Sequence, residues 1–235
     1  MIIKSYEIKK NTQNFFKYNF YLLYGENVGL KNDIGDIIKI ATKQKDDKIE
    51  ILLLYENEIL NNEENFYNFV YSGSLFGNKK IITIFEATDK ILKKISNVFD
   101  KSPENVLVII FSGILEKKSK LRNFFEKSKE TICIPCYLDS EKDLEIIAQS
   151  EFRKNNISLS RDAINLLIEK SNSDRNNLRN EIEKIISYSL NKKKIELEEI
   201  KSLINFSGEY KSDILVNECL CGNVSQYKKV ISELY

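Results

Sequence analysis

The chain has 235 residues, of which 42% are hydrophobic and 30% are charged, and 36 basic residues nearly balance 35 acidic ones to give a net charge of +1. This composition is typical of a globular protein with one large or two smaller domains, and it excludes a wholly disordered chain and a strongly basic DNA-coating protein. No apolar run approaches the roughly 20 residues that span a bilayer, and the first residues lack the apolar core of a secretory signal, so we expect a cytoplasmic protein.

The first predicted strand ends at Tyr24 and is followed by Gly25, Gly29 and Lys31 at the start of a helical pattern. A phosphate-binding P-loop has the pattern G-x-x-x-x-G-K-S/T, whose glycines expose backbone N–H groups and whose hydroxyl holds magnesium. Here the second glycine comes one residue early, one residue separates it from the lysine, and Asn32 replaces the hydroxyl residue. The pattern favours a structural strand–turn–helix junction, and a residual nucleotide contact is the alternative.

Four further apolar runs predict strands at 49–56, 79–87, 105–113 and 130–138. Helical patterns lie between them, at 30–43, 62–71, 89–99 and 119–128. Continuous apolar strands separated by helices indicate a parallel sheet that is covered on both faces. We therefore predict an α/β fold with three layers.

After residue 138 the strand patterns stop, and helices are predicted at 140–155, 160–171, 174–190 and 196–205. In the third helix Asp174 is placed to cap the start, and one apolar stripe is formed by Leu178, Ile182, Ile185 and Ile186. We predict an α/β domain at 1–139, a small helical lid domain at 140–208 and, at 209–235, the incomplete beginning of a helical collar or oligomerisation domain.

This order of domains is the layout of AAA+ ATPases, whose second motif places paired carboxylates after an apolar strand. At the end of the strand at 79–87, Glu86 has no adjacent carboxylate, and Asp89 comes three residues later. The strand at 105–113 ends in Ser112 and Gly113, without a carboxylate. The chain also lacks histidine, the commonest general base. The sequence therefore predicts an AAA+-like module without ATP hydrolysis, catalytic residues, bound metal or cofactor.

The four cysteines form a C-x-x-C pair, Cys133 and Cys136, and a C-x-C pair, Cys219 and Cys221. The first pair lies in a predicted strand, where alternation directs the two thiols to opposite faces. A zinc site that joins the two pairs would need a much wider spacing than that of a compact finger, so we interpret all four as ordinary thiols.

An ordered series of segments resembles the delta subunit of bacterial DNA polymerase III. LLYGENVGL resembles the first strand and degenerate loop of that family, and SLFGNKKIITI resembles its Leu-Phe segment and next strand. VLVIIFSGILEKKSKLRNFFE resembles the following strand and basic helix, and the stretch from IPCYLDSEKD to NEIEKIISYS resembles the domain junction and lid. The series covers nearly the whole chain.

The resemblance implies a clamp-loader component of the DNA polymerase III holoenzyme, a DNA-directed DNA polymerase, with no catalysis of its own. Its implied partners are the sliding clamp (the beta subunit), the delta prime and tau/gamma loader subunits and, weakly, primer–template DNA. The implied location is the bacterial replisome at the nucleoid, and no membrane contact is expected.

In the family an adjacent Leu-Phe pair inserts into an apolar pocket of the clamp. The matching residues are Leu75 and Phe76, flanked by Ser74 and Gly77, and the alternative is that they begin the core of the next strand. The helix at 62–71 would support them, with its aromatic side chains packed on the sheet rather than on the clamp.

Most of the abundant lysines are expected on the solvated surface. The cluster of Lys117, Lys118, Lys120 and Arg122 provides the candidates for contacts with DNA phosphates, which would be independent of sequence. Two other functions remain alternatives at this stage, an active AAA+ ATPase and a stand-alone DNA-binding module.

Overall fold

The computed structural model describes residues 1–10, 17–43, 49–72, 79–101, 103, 105–189, 192, 195–204 and 208–232, and the chain divides into two compact units, residues 1–138 and 139–235. The described strands of the first unit are β1 (Phe20–Tyr24), β2 (Ile49–Tyr55), β3 (Lys79–Ala87), β4 (Val106–Ser112) and β5 (Thr131–Pro135). Its described helices are α1 (Ser5–Lys10), α2 (Val28–Lys43), α3 (Glu56–Asn61), α4 (Glu63–Tyr71), α5 (Leu92–Lys101) and α6 (Lys120–Lys127). A 3₁₀ turn at Asp89–Ile91 precedes α5.

The strands form one parallel sheet in the order β2-β3-β4-β1-β5. Its register places Leu22 of β1 opposite both Ile110 of β4 and Cys133 of β5. Parallel neighbours need crossover connections, which is why helices alternate with the strands. The predicted α/β class with a parallel sheet is confirmed.

Alternate side chains of the strands build two cores, one on each face of the sheet. On one face α3 to α6 contribute the buried side chains of Ile59, Phe66, Ile95 and Phe125. On the other face α1 and α2 contribute those of Ile8, Ile34 and Ile38. Each such side chain contributes about 1.5–3 kcal/mol when it is fully buried, so both helical layers are held to the sheet by apolar contact.

Helices pack on both faces of the sheet, as predicted, but one face of the edge strand β2 is exposed. Its Ile51, Leu53 and Tyr55 are 43%, 57% and 49% exposed. The helices described on that face, α1 and α2, pack on a cluster that takes its fully buried strand residues from β1, β3, β4 and β5. The apolar run predicted the strand correctly, but the position of that strand at the edge follows from the strand order.

The second unit is helical in its described residues. Its helices are α7 (Glu141–Lys154), α8 (Arg161–Lys170), α9 (Arg175–Ser189), α10 (Leu197–Leu203), α11 (Gly208–Leu220) and α12 (Val224–Ser232). The predicted cap of α9 is present, since the Asp174 carboxylate accepts the N–H of Asn177 at 2.8 Å. Leu178, Ile182 and Ile185 of the predicted stripe are buried in one core with side chains of α7, α8 and α10.

A buried ion pair joins the first residue of the second unit to the start of α9. Nε of Arg175 donates to Oδ2 of Asp139 at 2.8 Å, and Nη2 donates to the other oxygen of the same carboxylate. The two side chains are 4% and 5% exposed. Two parallel charge-assisted bonds fix both the distance and the orientation of the partners.

The last two helices, α11 and α12, pack against each other and leave apolar side chains exposed. Val216 and Leu220 are 55% and 80% exposed. Gly208 is the first residue of α11. Within the part of the chain that the structure describes, every helix is too short or too polar to cross a membrane.

Candidate functional site

The loop after β1 lies against the carboxyl ends of β4 and β5. Gly25 has a φ of +126°, and a Cβ atom on it would lie 2.2 Å from the carbonyl oxygen of Cys136. Its N–H donates to the carbonyl oxygen of Gly113 at 2.9 Å. Glycine is required here because only a residue without a side chain can adopt this φ and approach the neighbouring strand so closely.

Asn27 ends the loop and begins α2. Its N–H donates to the carbonyl oxygen of Cys136 at 3.1 Å, and its Nδ2 donates to that of Tyr137 at 3.1 Å. Its Oδ1 accepts the N–H of Leu30 at 2.9 Å, as a helix N-cap does. A P-loop turns its N–H groups toward phosphates, whereas these groups donate to carbonyls of the protein. Gly29 lies inside α2 and outside the loop.

Lys31 is buried behind the loop. Its Nζ donates to the carbonyl oxygens of Gly25 and Ser112, each at 2.8 Å, and the residue is 7% exposed. Burial lowers the pKa of this ammonium group because desolvation disfavours its charged form. The lysine therefore links the loop to the end of β4 from inside the unit. These contacts favour the structural junction over the alternative of a nucleotide contact.

The carboxylates that follow β2 and β3 are also bound within the unit. Glu56 accepts the N–H of Thr88 at 2.8 Å and its hydroxyl at 2.9 Å. Asp89 accepts the hydroxyl of Ser119 at 2.6 Å and two N–H groups of the first turn of α6 at 2.9 and 3.0 Å. Desolvation by itself raises the pKa of Asp89, but these three hydrogen bonds outweigh it and hold the pKa below its usual range.

Glu86 lies at an irregularity of β3. The register between β3 and β4 shifts between Ile84 and Ala87, and Glu86 has a φ of +57° with an exposed side chain. Glu86 and Asp89 thus have different surroundings, since the carboxylate of Asp89 accepts hydrogen bonds at the start of α6. Among the described residues, no group of three or more Asp, Glu or Cys side chains is placed to bind a metal ion.

The segment with the predicted clamp contacts lies outside the described residues, and it contains Ser74, Leu75, Phe76 and Gly77. The structure describes the elements on both sides of it, α4 before and β3 after. As predicted, the aromatic side chains of α4 pack on the sheet, because Phe66 is buried and Tyr67 and Phe69 are partly buried against the same core.

Lys80, the second residue of β3, is buried beneath the end of α4. Its Nζ donates to the carbonyl oxygens of Phe69 and Ser72 at 2.5 and 2.7 Å and to the Ser72 hydroxyl at 2.9 Å. The ammonium lies 4.7 Å from the centroid of the Phe69 ring and 4.0 Å from the Glu50 carboxylate. Sequence analysis missed this residue, although alternation along β3 places Lys80 on the same face as Ile82, toward the helices.

A second set of contacts joins the last turn of α4 to α5. The Tyr71 hydroxyl donates to the carbonyl oxygen of Asn97 at 3.3 Å, and Nδ2 of Asn97 donates to the Tyr67 hydroxyl at 3.1 Å. The two tyrosine rings stack with their centroids 6.1 Å apart, and Nζ of Lys101 lies 4.6 Å from the centre of the Tyr71 ring. The end of α4 is therefore fixed from two sides.

The predicted basic cluster contains three exposed lysines and one engaged arginine. Nε of Arg122 donates to Oε1 of Glu126 at 2.7 Å, and its guanidinium lies 4.9 Å from the centroid of the Tyr24 ring. A phosphate would have to compete with these partners for Arg122. The exposed residues of the cluster are Lys117, Lys118 and Lys120.

The cysteines agree with the interpretation as ordinary thiols. Cys133 and Cys136 belong to cores on opposite faces of the sheet, as the strand alternation predicts. Burial raises the pKa of the Cys133 thiol to about 12, so it stays protonated at neutral pH. Cys219 and Cys221 are exposed in the second unit.

Residues 21–137 match the family model described as DNA polymerase III, delta subunit. This stretch contains the whole sheet, the loop after β1 and the segment between α4 and β3. Over these residues the chain belongs to the DNA polymerase III delta subunit family. The match confirms the resemblance over residues 21–137 and assigns this stretch to a protein family of DNA replication.

Solved structures with the same fold include three distant proteins. The Bacillus subtilis DNA clamp loader delta protein YqeN superposes with a TM-score of 0.61 at 13% identity, over 98% of this chain and 71% of that one. The Thermotoga maritima Holliday junction motor RuvB gives 0.58 at 13% identity, over 98% of this chain and 78% of that one. Domain III of Thermotoga maritima DnaA gives 0.54 at 14% identity, over 85% of this chain and 89% of that one.

At these identities the structural likeness shows the fold alone, which is AAA+-like. A comparison with curated protein sequences found no match.

Proposed function

We propose that the chain acts as the delta subunit of a clamp loader. It binds and opens the ring-shaped sliding clamp so that the ring can be loaded on primed DNA, and it does not hydrolyse ATP. The family match supports the role in replication. The observation that carries the proposal beyond the family is Lys31, whose ammonium donates to the protein's own carbonyls at the position where a P-loop lysine would reach phosphates.

The contact with the clamp is assigned to Leu75 and Phe76, with Ser74 and Gly77 at their sides. Each large apolar side chain that is buried on a partner contributes roughly 1.5–3 kcal/mol. Two of them together correspond to a factor of about 10² to 10⁴ in affinity. Such a pair is large enough to be the hot spot of the interface.

Clamp opening follows from differential binding. A ligand shifts an equilibrium between two states only by the difference in its affinity for them. The pair therefore has to bind the opened or distorted clamp interface more tightly than the closed one. The ATPase subunits of the loader would control when the pair is presented.

The remaining assignments concern the second unit and the partners. Residues 140–208 form the lid domain, and 209–235 belong to the collar through which delta prime and tau/gamma are contacted. The exposed Val216 and Leu220 of α11 support a partner surface there. Lys117, Lys118 and Lys120 supply weak, salt-sensitive contacts with primer–template DNA.

The test is the binding of this chain to the sliding clamp encoded by the same genome. We expect micromolar or tighter binding that the change Leu75→Ala/Phe76→Ala abolishes while the circular dichroism spectrum and melting temperature stay the same. Val216→Ala/Leu220→Ala is the matched control, because it removes two exposed apolar side chains from the second unit and should leave clamp affinity unchanged. A folded parent chain that does not bind the clamp would refute the proposal.

A further inference from the structure

The segment at 73–78 is preceded by α4 and followed by β3, and the side chain of Lys80 in β3 contacts the end of α4. Lys80 belongs to β3, two residues after the segment ends. Its ammonium donates to Ser72, the residue immediately before the segment begins, and to Phe69 one turn earlier in α4. The two ends of a six-residue connection are therefore joined at its base by a side chain.

The chemistry of this joint requires a cation with several donors. The last carbonyls of a helix have no partner within the helix and carry partial negative charge, so an ammonium group is favourable there. A lysine ammonium has three N–H donors, and the Phe69 carbonyl, the Ser72 carbonyl and the Ser72 hydroxyl provide three acceptors. Glu50 lies 4.0 Å away and offsets the buried charge.

The Lys80 side chain is buried, and both elements that it joins make further contacts. Lys80 is 3% exposed, and its N–H donates to the carbonyl oxygen of Asn105 at 2.8 Å, which ties the start of β3 to the residue before β4. On the other side, exposed hydrogen bonds of Tyr71 and Tyr67 with Asn97 tie the last turn of α4 to α5. A shift of either end of the connection would therefore break hydrogen bonds.

We propose that Lys80 is a positioning residue for clamp binding, because it sets the distance between the end of α4 and the start of β3, the two elements that flank Leu75 and Phe76 in the sequence. This inference rests on the proposed function. A segment whose ends are held before the partner arrives loses less conformational freedom on binding, and this raises affinity without any additional contact.

The experiment compares Lys80→Met with Lys31→Met. Both changes replace a buried ammonium that donates to main-chain carbonyls in the same unit with an apolar side chain of similar length, so both are expected to lower the melting temperature. We expect the dissociation constant for the sliding clamp to rise about tenfold or more in Lys80→Met only, through faster dissociation. Hydrogen exchange at the amides of Tyr71 and Ser72 should accelerate in the same variant and stay unchanged in Lys31→Met.

Ser72→Ala removes one of the three acceptors of Lys80 and the 3.3 Å hydrogen bond from the Ser72 hydroxyl to the Phe69 carbonyl oxygen, and it serves as the milder variant if Lys80→Met does not fold. It should weaken clamp binding by a smaller factor in the same direction. Equal loss of affinity in Lys80→Met and Lys31→Met, or unchanged affinity in a folded Lys80→Met or Ser72→Ala chain, would overturn the positioning role.

A parent chain that does not bind the clamp would refute the proposed function, and the role of Lys80 in clamp binding would fall with it. The exchange measurement distinguishes the two failures, because it reports on the anchoring of α4 in the absence of any clamp.

Discussion

Two buried lysines lie at opposite ends of the strands of the same sheet, and both donate hydrogen bonds to main-chain carbonyls. Lys31 lies at the carboxyl ends of β1 and β4, and Lys80 lies at the amino end of β3. The acceptors of Lys31 are carbonyl oxygens of the loop after β1 and of the end of β4. Lys31 therefore holds this loop to the sheet at the position where a P-loop would bind phosphates. The acceptors of Lys80 are at the end of α4, the helix that precedes the segment with the proposed clamp contacts. The comparison teaches that the role of a buried cation is decided by where its acceptors lie in the chain.

A third buried cation, Arg175, differs from the two lysines because its partner is the carboxylate of Asp139 and not a main-chain carbonyl. Asp139→Asn leaves Arg175 buried without a compensating charge, and we expect a loss of about 3–5 kcal/mol in the free energy of unfolding, measured by urea denaturation. The control is Glu198→Gln, which breaks the exposed pair with Lys201 and should change stability by about 0.5 kcal/mol or less. Similar losses in the two variants would show that burial does not determine the strength of these pairs.

The close packing of the loop after β1 can be tested by a substitution of Gly25. Gly25→Ala places a Cβ 2.2 Å from a backbone oxygen at a φ of +126°, and we expect a loss of about 3 kcal/mol in the free energy of unfolding. Gly222→Ala is the control, because its φ is +69° and its Cβ would meet no atom within 4 Å. It should cost about 1–2 kcal/mol. A harmless Gly25→Ala would mean that the loop is not held against β5.

The structural role of Lys31 would be wrong if this residue bound a nucleotide. Lys31→Met leaves the carbonyls of Gly25 and Ser112 without a donor, and we expect a loss of about 1–3 kcal/mol. Magnesium ATP should leave the melting temperature of both the parent chain and the variant unchanged, since a ligand stabilises only a state that binds it. A shift in the parent that disappears in the variant would establish a nucleotide site and contradict our interpretation of the loop.

The smallest effect concerns the carboxylate that follows β3. The pKa of Asp89 is lowered in the folded state, so its contribution to stability is present above the ordinary pKa of 3.8 and is lost as the pH falls through the lowered value. Asp89→Asn should cost about 0.5–1 kcal/mol at neutral pH, because it weakens the cap of α6. The difference between parent and variant should shrink below pH 4. A constant difference down to pH 2 would show that the charge of Asp89 contributes nothing.

The fold was largely predictable because its signals are local. Apolar runs and helical periodicity gave β3 at 79–87 and placed α9 within one residue of each end. The six-residue helices α1 and α3 were missed, since so short a helix leaves little periodicity and is stabilised by tertiary packing. The exposed face of β2 was missed because an apolar run does not reveal which strand lies at an edge.

The candidate site was less predictable than the fold. The missing P-loop pattern at Gly25, Gly29 and Lys31 was visible in the sequence, and so was the Leu75–Phe76 segment. The partners of Lys80 and the contact of Arg122 with the Tyr24 ring were not, because a lysine or an arginine has the same composition signal whether it is solvated or buried. Only the contact of a neighbouring helix end or aromatic ring distinguishes the two.

The sequence by itself determined the class of the fold, the family and the absence of an intact P-loop pattern, because these depend on residue type and short spacing. The tertiary structure decided where the cations point. Lys31 meets a carbonyl 81 residues away, and Lys80 meets one 8 residues away across the connection between α4 and β3. No local pattern specifies such pairs, since they form only when the sheet brings the ends of separate elements together and burial leaves each carbonyl in need of a donor.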